Sequence, residues 1–150
     1  MKVVIIGQGY VGLNLSIMAS KNHKVVGFDI NESLVENLNL AKSHIEGITD
    51  EDIRDAKSLG YRASSDREEL NDAEIVVISV PTPLNENRDP DMSFIESACR
   101  DIATYCKVSA LVVNESTSFP GTVRNFIKPF IEANQKEEVL HSYAVAPERV

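Results

Sequence analysis

The segment that decides the fold lies near the start of the chain and runs Val3-Val4-Ile5-Ile6-Gly7-Gln8-Gly9-Tyr10-Val11-Gly12. Its four apolar residues end at a glycine, a pattern typical of a strand that is covered on both faces. Residues 10–20 then show helical periodicity, because Val11, Leu15 and Met18 fall along one stripe. A buried strand that turns through glycines directly into a helix predicts the first unit of a sheet with helices packed on its faces.

The rest of the 150 residues continues this alternation of short apolar runs and helical patterns. In the last helical pattern we expect Pro120 at the first position, and we expect Pro129 to kink the helix or to end its first part. Strands that alternate with helices predict a Rossmann-type, doubly wound α/β fold, with about six parallel strands in the order 3-2-1-4-5-6. The predicted strands are 2–6, 24–28, 61–63, 74–80, 109–114 and 143–146, and the predicted helices are 10–20, 31–40, 49–58, 65–70, 91–105 and 120–133.

The glycines of the quoted segment have the spacing GxGxxG, between a buried strand and a helix. In this context Gly7 allows a tight turn, Gly9 lets the backbone approach a pyrophosphate, and Gly12 lets the helix pack closely on the strand. The N–H groups at the start of the helix, where Tyr10 and Val11 lie, are expected to hold that pyrophosphate. The alternative is that all three glycines serve the turn and the packing without a ligand.

An acidic residue, Asp29, ends the second strand 17 residues after Gly12. A carboxylate at this place accepts hydrogen bonds from the adenosine ribose hydroxyls of a dinucleotide. Ile30 and Asn31 follow it, with no arginine to receive a 2′-phosphate. Because the carboxylate would repel such a phosphate, the pattern favours NAD over NADP as the cofactor. The alternative is that Asp29 caps the helix that begins near Glu32.

The composition excludes several classes of function. The formal net charge is −8 and no block of lysine and arginine occurs, so nucleic acid and anionic membrane surfaces are poor partners. The apolar runs are too short to span a bilayer, and no secretory signal precedes the first strand. Cys99 and Cys106 fall in a helical pattern about 10 Å apart along its axis, too far for a disulfide, so we expect them to be small buried residues. The lack of a disulfide favours a cytoplasmic protein. The three histidines are scattered and form no metal-binding pattern.

Three further segments follow predicted strands and should meet at the carboxyl ends of the sheet. They are residues 80–85, 115–117 and 147–149. In doubly wound folds ligands bind in the crevice outside these strand ends. We therefore predict that the three segments line the nicotinamide side of one crevice.

Taken together, the segments resemble the NAD-binding N-terminal domain of the UDP-glucose/GDP-mannose dehydrogenase family. Within that family the chain is most similar to the UDP-N-acetylglucosamine and UDP-N-acetylmannosamine 6-dehydrogenases. The family resemblance rests on residues 7–12, 29, 80–85, 115–122 and 147–148, and the finer one on residues 43–46, 80–85, 88–91 and 147–149.

The resemblance implies a two-step oxidation of the C6 alcohol of a nucleotide sugar to a uronic acid, with two NAD. It implies that Thr117 helps to hold a water and the reacting oxygen, and that Glu148 orients or deprotonates the hydrolytic water. The alternatives are a turn or capping role for Thr117 and a solvated terminal acid for Glu148. The residues assigned to the cofactor on this side of the crevice are Val80, Pro81, Thr82, Glu115, Ser116 and Thr117, of which Glu115 is as consistent with ion pairing as with catalysis.

In such a family the nucleophilic cysteine lies after this domain, as do its lysine, asparagine and aspartate partners. We therefore interpret residues 1–150 as an NAD-binding domain from a longer chain, without the central helix and the UDP-sugar-binding domain. The full-length enzyme is expected to be a homo-oligomer, and the domain alone is expected to be inactive. UDP-glucose or GDP-mannose as substrate is one alternative, and a stand-alone NAD-binding regulatory module is another.

Asp29→Ala tests the ribose contact. A hydrogen bond to a charged group contributes about 1.5–3 kcal/mol, so we expect NAD affinity to fall by at least about tenfold in a calorimetric titration. Glu51→Ala is the matched control, because it removes the same charge from the acidic run at residues 50–52, which we interpret as a solvated helix start. Unchanged NAD affinity in Asp29→Ala would contradict the assignment.

Overall fold

The structure, a computed structural model, describes residues 1–84 and 90–146. Six strands and five α-helices alternate along this part of the chain. The strands are β1 (Lys2–Ile6), β2 (Lys24–Phe28), β3 (Tyr61–Ser64), β4 (Ile75–Ile78), β5 (Leu111–Asn114) and β6 (Ser142–Val145). The helices are α1 (Tyr10–Ser20), α2 (Glu32–Asn39), α3 (Asp50–Ser58), α4 (Ser93–Tyr105) and α5 (Lys128–Asn134), with a 3₁₀ turn at Arg67–Leu70 and a π-helical segment at Val123–Ile127 before α5.

The strands form one parallel sheet in the order β3-β2-β1-β4-β5-β6, which confirms the predicted topology. The chain therefore reverses its direction of strand addition between β1 and β4. In a doubly wound fold this switch point opens a crevice at the carboxyl ends of the two strands.

The core lies on both faces of the sheet, as the continuous apolar run of β1 predicts. Val4 and Ile6 pack with α4, the π-helical segment and α5 on one face. Val3 and Ile5 pack with α1, α2 and α3 on the other face. Successive residues of β1 thus enter opposite layers, and each of these four is at most 4% exposed.

In the last helical pattern the structure differs from the prediction at Pro120 and agrees with it at Pro129. Pro120 is not the first helical residue: it lies in a turn, and Gly121 follows with φ of 88° before the helix begins near Thr122. Pro129 lies in the first turn of α5. Since proline has no N–H for the carbonyl four residues earlier, the preceding turn widens, and the N–H of Lys128 donates to the carbonyl of Val123. The predicted break is therefore a π-helical segment.

Both cysteines are buried and free, as predicted. Burial raises the pKa of Cys99 to about 12, with a smaller contribution from the nearby charge of Glu96. A thiol that stays protonated at neutral pH is a poor nucleophile. Cys99 is therefore a core residue and not an activated nucleophile.

Within the two described ranges, no helix has both the length and the apolar character needed to cross a membrane.

Candidate functional site

The register of the sheet brings the ends of β1, β2, β4 and β5 to one edge. Ile6 pairs with Phe28 on one side and with Ile78 on the other, and Ile78 pairs with Asn114. The backbone ladder continues one residue further, because the N–H of Gly7 donates to the carbonyl of Phe28 at 2.8 Å. The last residues of these four strands therefore lie side by side across the sheet, and the loops that follow them leave the same edge.

The turn between β1 and α1 has the geometry that its glycines predict. Gly7 has φ of 93°, which L side chains rarely adopt, and a Cβ there would collide with the carbonyl oxygen of Ser79. A Cβ on Gly12 would collide with the carbonyl oxygen of Gly7. These two glycines let strand, turn and helix lie in contact.

Gly9 differs from its two neighbours in the motif, because a Cβ built there meets no atom within 4 Å. It is exposed and forms the N-cap of α1, and no side chain caps this helix. The first N–H groups of any α-helix have no partner within the helix. The open space and the uncapped helix start therefore fit a pyrophosphate, which such N–H groups bind well.

The Asp29 carboxylate is held in place by two backbone N–H groups. Gln8 donates to Oδ2 at 2.9 Å, and Asn31 donates to Oδ1 at 3.0 Å. The half-buried carboxylate keeps further lone pairs for ribose hydroxyls. Asn31 caps α2, since its side chain accepts the N–H of Leu34 at 3.2 Å. The alternative of Asp29 as the helix cap is therefore wrong.

Tyr10 and Val11 lie beside Glu115, although more than a hundred residues separate them in the sequence. The three residues share a groove of about 270 Å³ on the outer side of α1. Tyr10 is exposed and Val11 is half-buried. The predicted cofactor residues of the glycine turn and of the β5 end thus share one surface.

Ser116 ties the loop after β5 to the loop after β4. Its hydroxyl accepts the N–H of Val80 at 2.9 Å and lies 2.9 Å from the carbonyl oxygen of the same residue. Ser116 is only 7% exposed, and its own N–H donates to the carbonyl of Ile78 at 3.2 Å. Within the protein, Ser116 and Val80 therefore bind each other and fix two walls of the crevice together.

Asn114, which the sequence analysis did not single out, holds the residues on either side of Thr117. Its Nδ2 donates to the carbonyl oxygen of Ser116 at 3.0 Å and to the hydroxyl of Ser118 at 3.0 Å. Asn114 is 1% exposed, whereas Thr117 is exposed. The sequence signal that could have identified Asn114 is its position as a polar residue at the end of an apolar strand. The Asn114 side chain therefore fixes the backbone on either side of the exposed Thr117.

The structure describes only some of the other predicted site residues. Pro81 is exposed and Thr82 is half-buried, on the loop that leaves β4. Glu148 lies outside the described residues, so its role stays a prediction. The same holds for Asn85 and for the rest of the finer motif at residues 88–89 and 147–149.

No group of three or more histidine, cysteine or acidic side chains that could hold a metal ion occurs among residues 1–84 and 90–146. Of the histidines, His44 is exposed on the loop after α2.

Comparison with known proteins places this site in a family. A sequence profile described as "UDP-glucose/GDP-mannose dehydrogenase family, NAD binding domain" matches residues 1–150. The UDP-N-acetyl-D-mannosamine dehydrogenase of Pyrococcus horikoshii is 37% identical over 154 residues, which cover 100% of this chain and 37% of the relative. The UDP-N-acetyl-D-glucosamine 6-dehydrogenase of Salmonella typhi is 34% identical over 131 residues, which cover 87% of this chain and 30% of the relative.

Solved structures agree with the sequence comparison. The crystal structure of a ternary complex of GDP-mannose dehydrogenase from Pseudomonas aeruginosa superposes with a TM-score of 0.91 at 28% identity. The match covers 100% of this chain and 36% of that one. The chain therefore spans about a third of the length of these matched proteins.

Gly9→Ala and Gly12→Ala test separately whether each glycine makes room for the ligand or for the packing of the fold. Because a Cβ on Gly9 meets open space, we expect the free energy of unfolding to change by less than about 0.5 kcal/mol, while NAD affinity falls at least about tenfold. Because a Cβ on Gly12 meets backbone, Gly12→Ala should destabilise the fold by about 2 kcal/mol. Urea unfolding and calorimetric titration check the two effects. Unchanged NAD affinity in a folded Gly9→Ala protein would contradict the pyrophosphate assignment.

Proposed function

We propose a function from the premise that this chain belongs to the UDP-glucose/GDP-mannose dehydrogenase family, as its NAD-binding domain. The whole protein is an NAD-dependent nucleotide-sugar 6-dehydrogenase, which oxidises the C6 alcohol of a sugar nucleotide to a carboxylate. The observation that carries this proposal is the edge of the sheet at the switch point. An open glycine turn follows β1 and a fixed Asp29 carboxylate follows β2 at this edge, and the loop that carries Thr117 leaves β5 at the same edge.

The residues of this chain have separable tasks in the proposed reaction. NAD, when bound, accepts the hydride. The start of α1 at Gly9 binds the pyrophosphate, and Asp29 accepts the hydroxyls of the adenosine ribose. Because a 2′-phosphate would be repelled by Asp29, the protein prefers NAD to NADP.

We propose that Thr117 acts on the substrate side. Its exposed hydroxyl can donate one hydrogen bond and accept others, which suits it to hold a water and the reacting oxygen. Asn114 and Ser116 fix the loop on which it lies. Glu148 would orient or deprotonate the hydrolytic water, a task suited to a carboxylate whose pKa is raised towards neutrality in a closed cleft.

The proposed substrate is a UDP-N-acetylhexosamine. Its support is the similarity to the two relatives described above, a UDP-N-acetyl-D-mannosamine dehydrogenase and a UDP-N-acetyl-D-glucosamine 6-dehydrogenase. Most sugar contacts are expected outside this domain, since the chain covers 37% and 30% of these relatives. We further propose that the whole enzyme is a cytoplasmic homo-oligomer.

An assay of the full-length protein against UDP-N-acetylglucosamine, UDP-N-acetylmannosamine, UDP-glucose and GDP-mannose tests the proposal. We expect turnover of an N-acetylhexosamine substrate with two NADH formed per sugar. Residues 1–150 alone should bind NAD without turnover. Thr117→Val should lower kcat by about a hundredfold, the effect typical of removing one catalytic hydrogen-bonding group. Thr117→Ser keeps the hydroxyl and is the matched control.

The outcomes distinguish the alternatives. Turnover of UDP-glucose or GDP-mannose alone would reassign the substrate within the family. NAD binding without oxidation of any of the four nucleotide sugars would contradict the enzymatic proposal and favour a regulatory NAD-binding module.

A further inference from the structure

Gln8 occupies the variable position between the first two glycines of the turn, yet it is 0% exposed. A polar amide in a surface turn is ordinarily directed to solvent, and a buried amide is costly unless it is hydrogen-bonded. The side chain of Gln8 instead points into the protein, beneath the turn that faces the dinucleotide.

The buried amide of Gln8 links three elements. Its Nε2 donates to the carbonyl oxygens of Ile5 and Gly7, each at 3.1 Å. Its Oε1 accepts the hydroxyl of Tyr61 at 3.1 Å, and the hydroxyl of Ser16 lies 3.1 Å from the same atom. Both amide hydrogens and the amide oxygen therefore have partners, on β1 and its turn, on α1 and on β3.

Two neighbours are adapted to this amide. A Cβ on Gly27 of β2 would overlap the side-chain oxygen of Gln8, so the strand leaves the space that the amide fills. Tyr61 is 3% exposed, and burial together with the charge of Asp29 raises the pKa of its hydroxyl. The hydroxyl therefore keeps its proton and remains a donor to Gln8.

Gln8 also holds the carboxylate of Asp29, which is the proposed partner of the ribose. The backbone N–H of Gln8 donates to Oδ2 of Asp29 at 2.9 Å. The side chain of Gln8 thus fixes the turn, and its main chain fixes Asp29. A change in the side chain will move both.

We propose that Gln8 is a positioning residue, which pre-organises the glycine turn and the Asp29 carboxylate for NAD and thereby sets the preference for NAD over NADP. The inference rests on the proposed contact between Asp29 and the ribose. It extends that proposal by naming the interior group that holds the carboxylate in place.

The expected loss of NAD affinity follows from the fraction of molecules whose glycine turn has the binding-competent conformation. The apparent dissociation constant of a ligand rises in proportion as the binding-competent conformation becomes rarer. If the turn of a variant is correctly placed about a tenth of the time, NAD affinity falls about tenfold. A carboxylate that is no longer held in place also repels a 2′-phosphate less, so the ratio of NAD to NADP affinity narrows.

The test compares Gln8→Met, Tyr61→Phe and Ile102→Val with the wild type. Methionine has a similar length and no amide, and phenylalanine removes one donor from Gln8 while keeping the ring. Ile102 is 0% exposed on the other face of the sheet, so its truncation lowers stability without touching the turn. Each folded protein is titrated calorimetrically with NAD and NADP well below its melting temperature.

We expect NAD affinity to fall about tenfold in Gln8→Met and by a smaller factor in Tyr61→Phe, with a narrowed NAD-to-NADP ratio in both. Ile102→Val should melt earlier and bind NAD as the wild type does. If Gln8→Met does not fold, Tyr61→Phe decides the question.

Lowered melting temperatures with unchanged NAD affinity and ratio would overturn the proposal, because Gln8 would then be a core residue only. That result leaves NAD binding by the wild type intact. A wild type that binds no NAD would overturn the proposed function as well, so the two failures are distinguishable.

Discussion

The close packing of the turn between β1 and α1 is the constraint on which the rest of the site depends. Gly7 has φ of 93° with its Cα against the Ser79 carbonyl, and Gly12 lies against the carbonyl of Gly7. Because no side chain keeps these backbones apart, α1 starts directly at the edge of the sheet. The N-terminus of α1 therefore opens into the crevice at the switch point, where its N–H groups can meet a phosphate.

The parts of the crevice are fixed to one another. Ser116 joins the ends of β4 and β5, and Asn114 holds the residues on either side of Thr117. Across the switch point, Gln8 joins the glycine turn to Asp29. Hydrogen bonds between buried groups thus connect the adenosine side and the proposed catalytic side to the same sheet. Such a site is organised before the ligand arrives, which reduces the ordering that binding requires.

Sequence patterns predicted the strand order, because hydrophobic periodicity identifies the strands and helices, and their alternation leaves few parallel topologies. They did not show how polar side chains would be used. Gln8 and Tyr61 are 53 positions apart, and their hydrogen bond exists only through the β2 and β3 strands. Ser116 was assigned to the cofactor, but its hydroxyl engages Val80. Pro120 satisfied the rule for a first helical residue, and the turn at Gly121 delayed the helix.

A crystal structure of the protein with NAD tests the central claim most directly. We expect the pyrophosphate against Gly9 at the start of α1, and both adenosine ribose hydroxyls within hydrogen-bond distance of the Asp29 carboxylate. We also expect the turn to have the same conformation with and without NAD. A dinucleotide bound away from this turn would contradict the account, as would a ribose that makes no contact with Asp29.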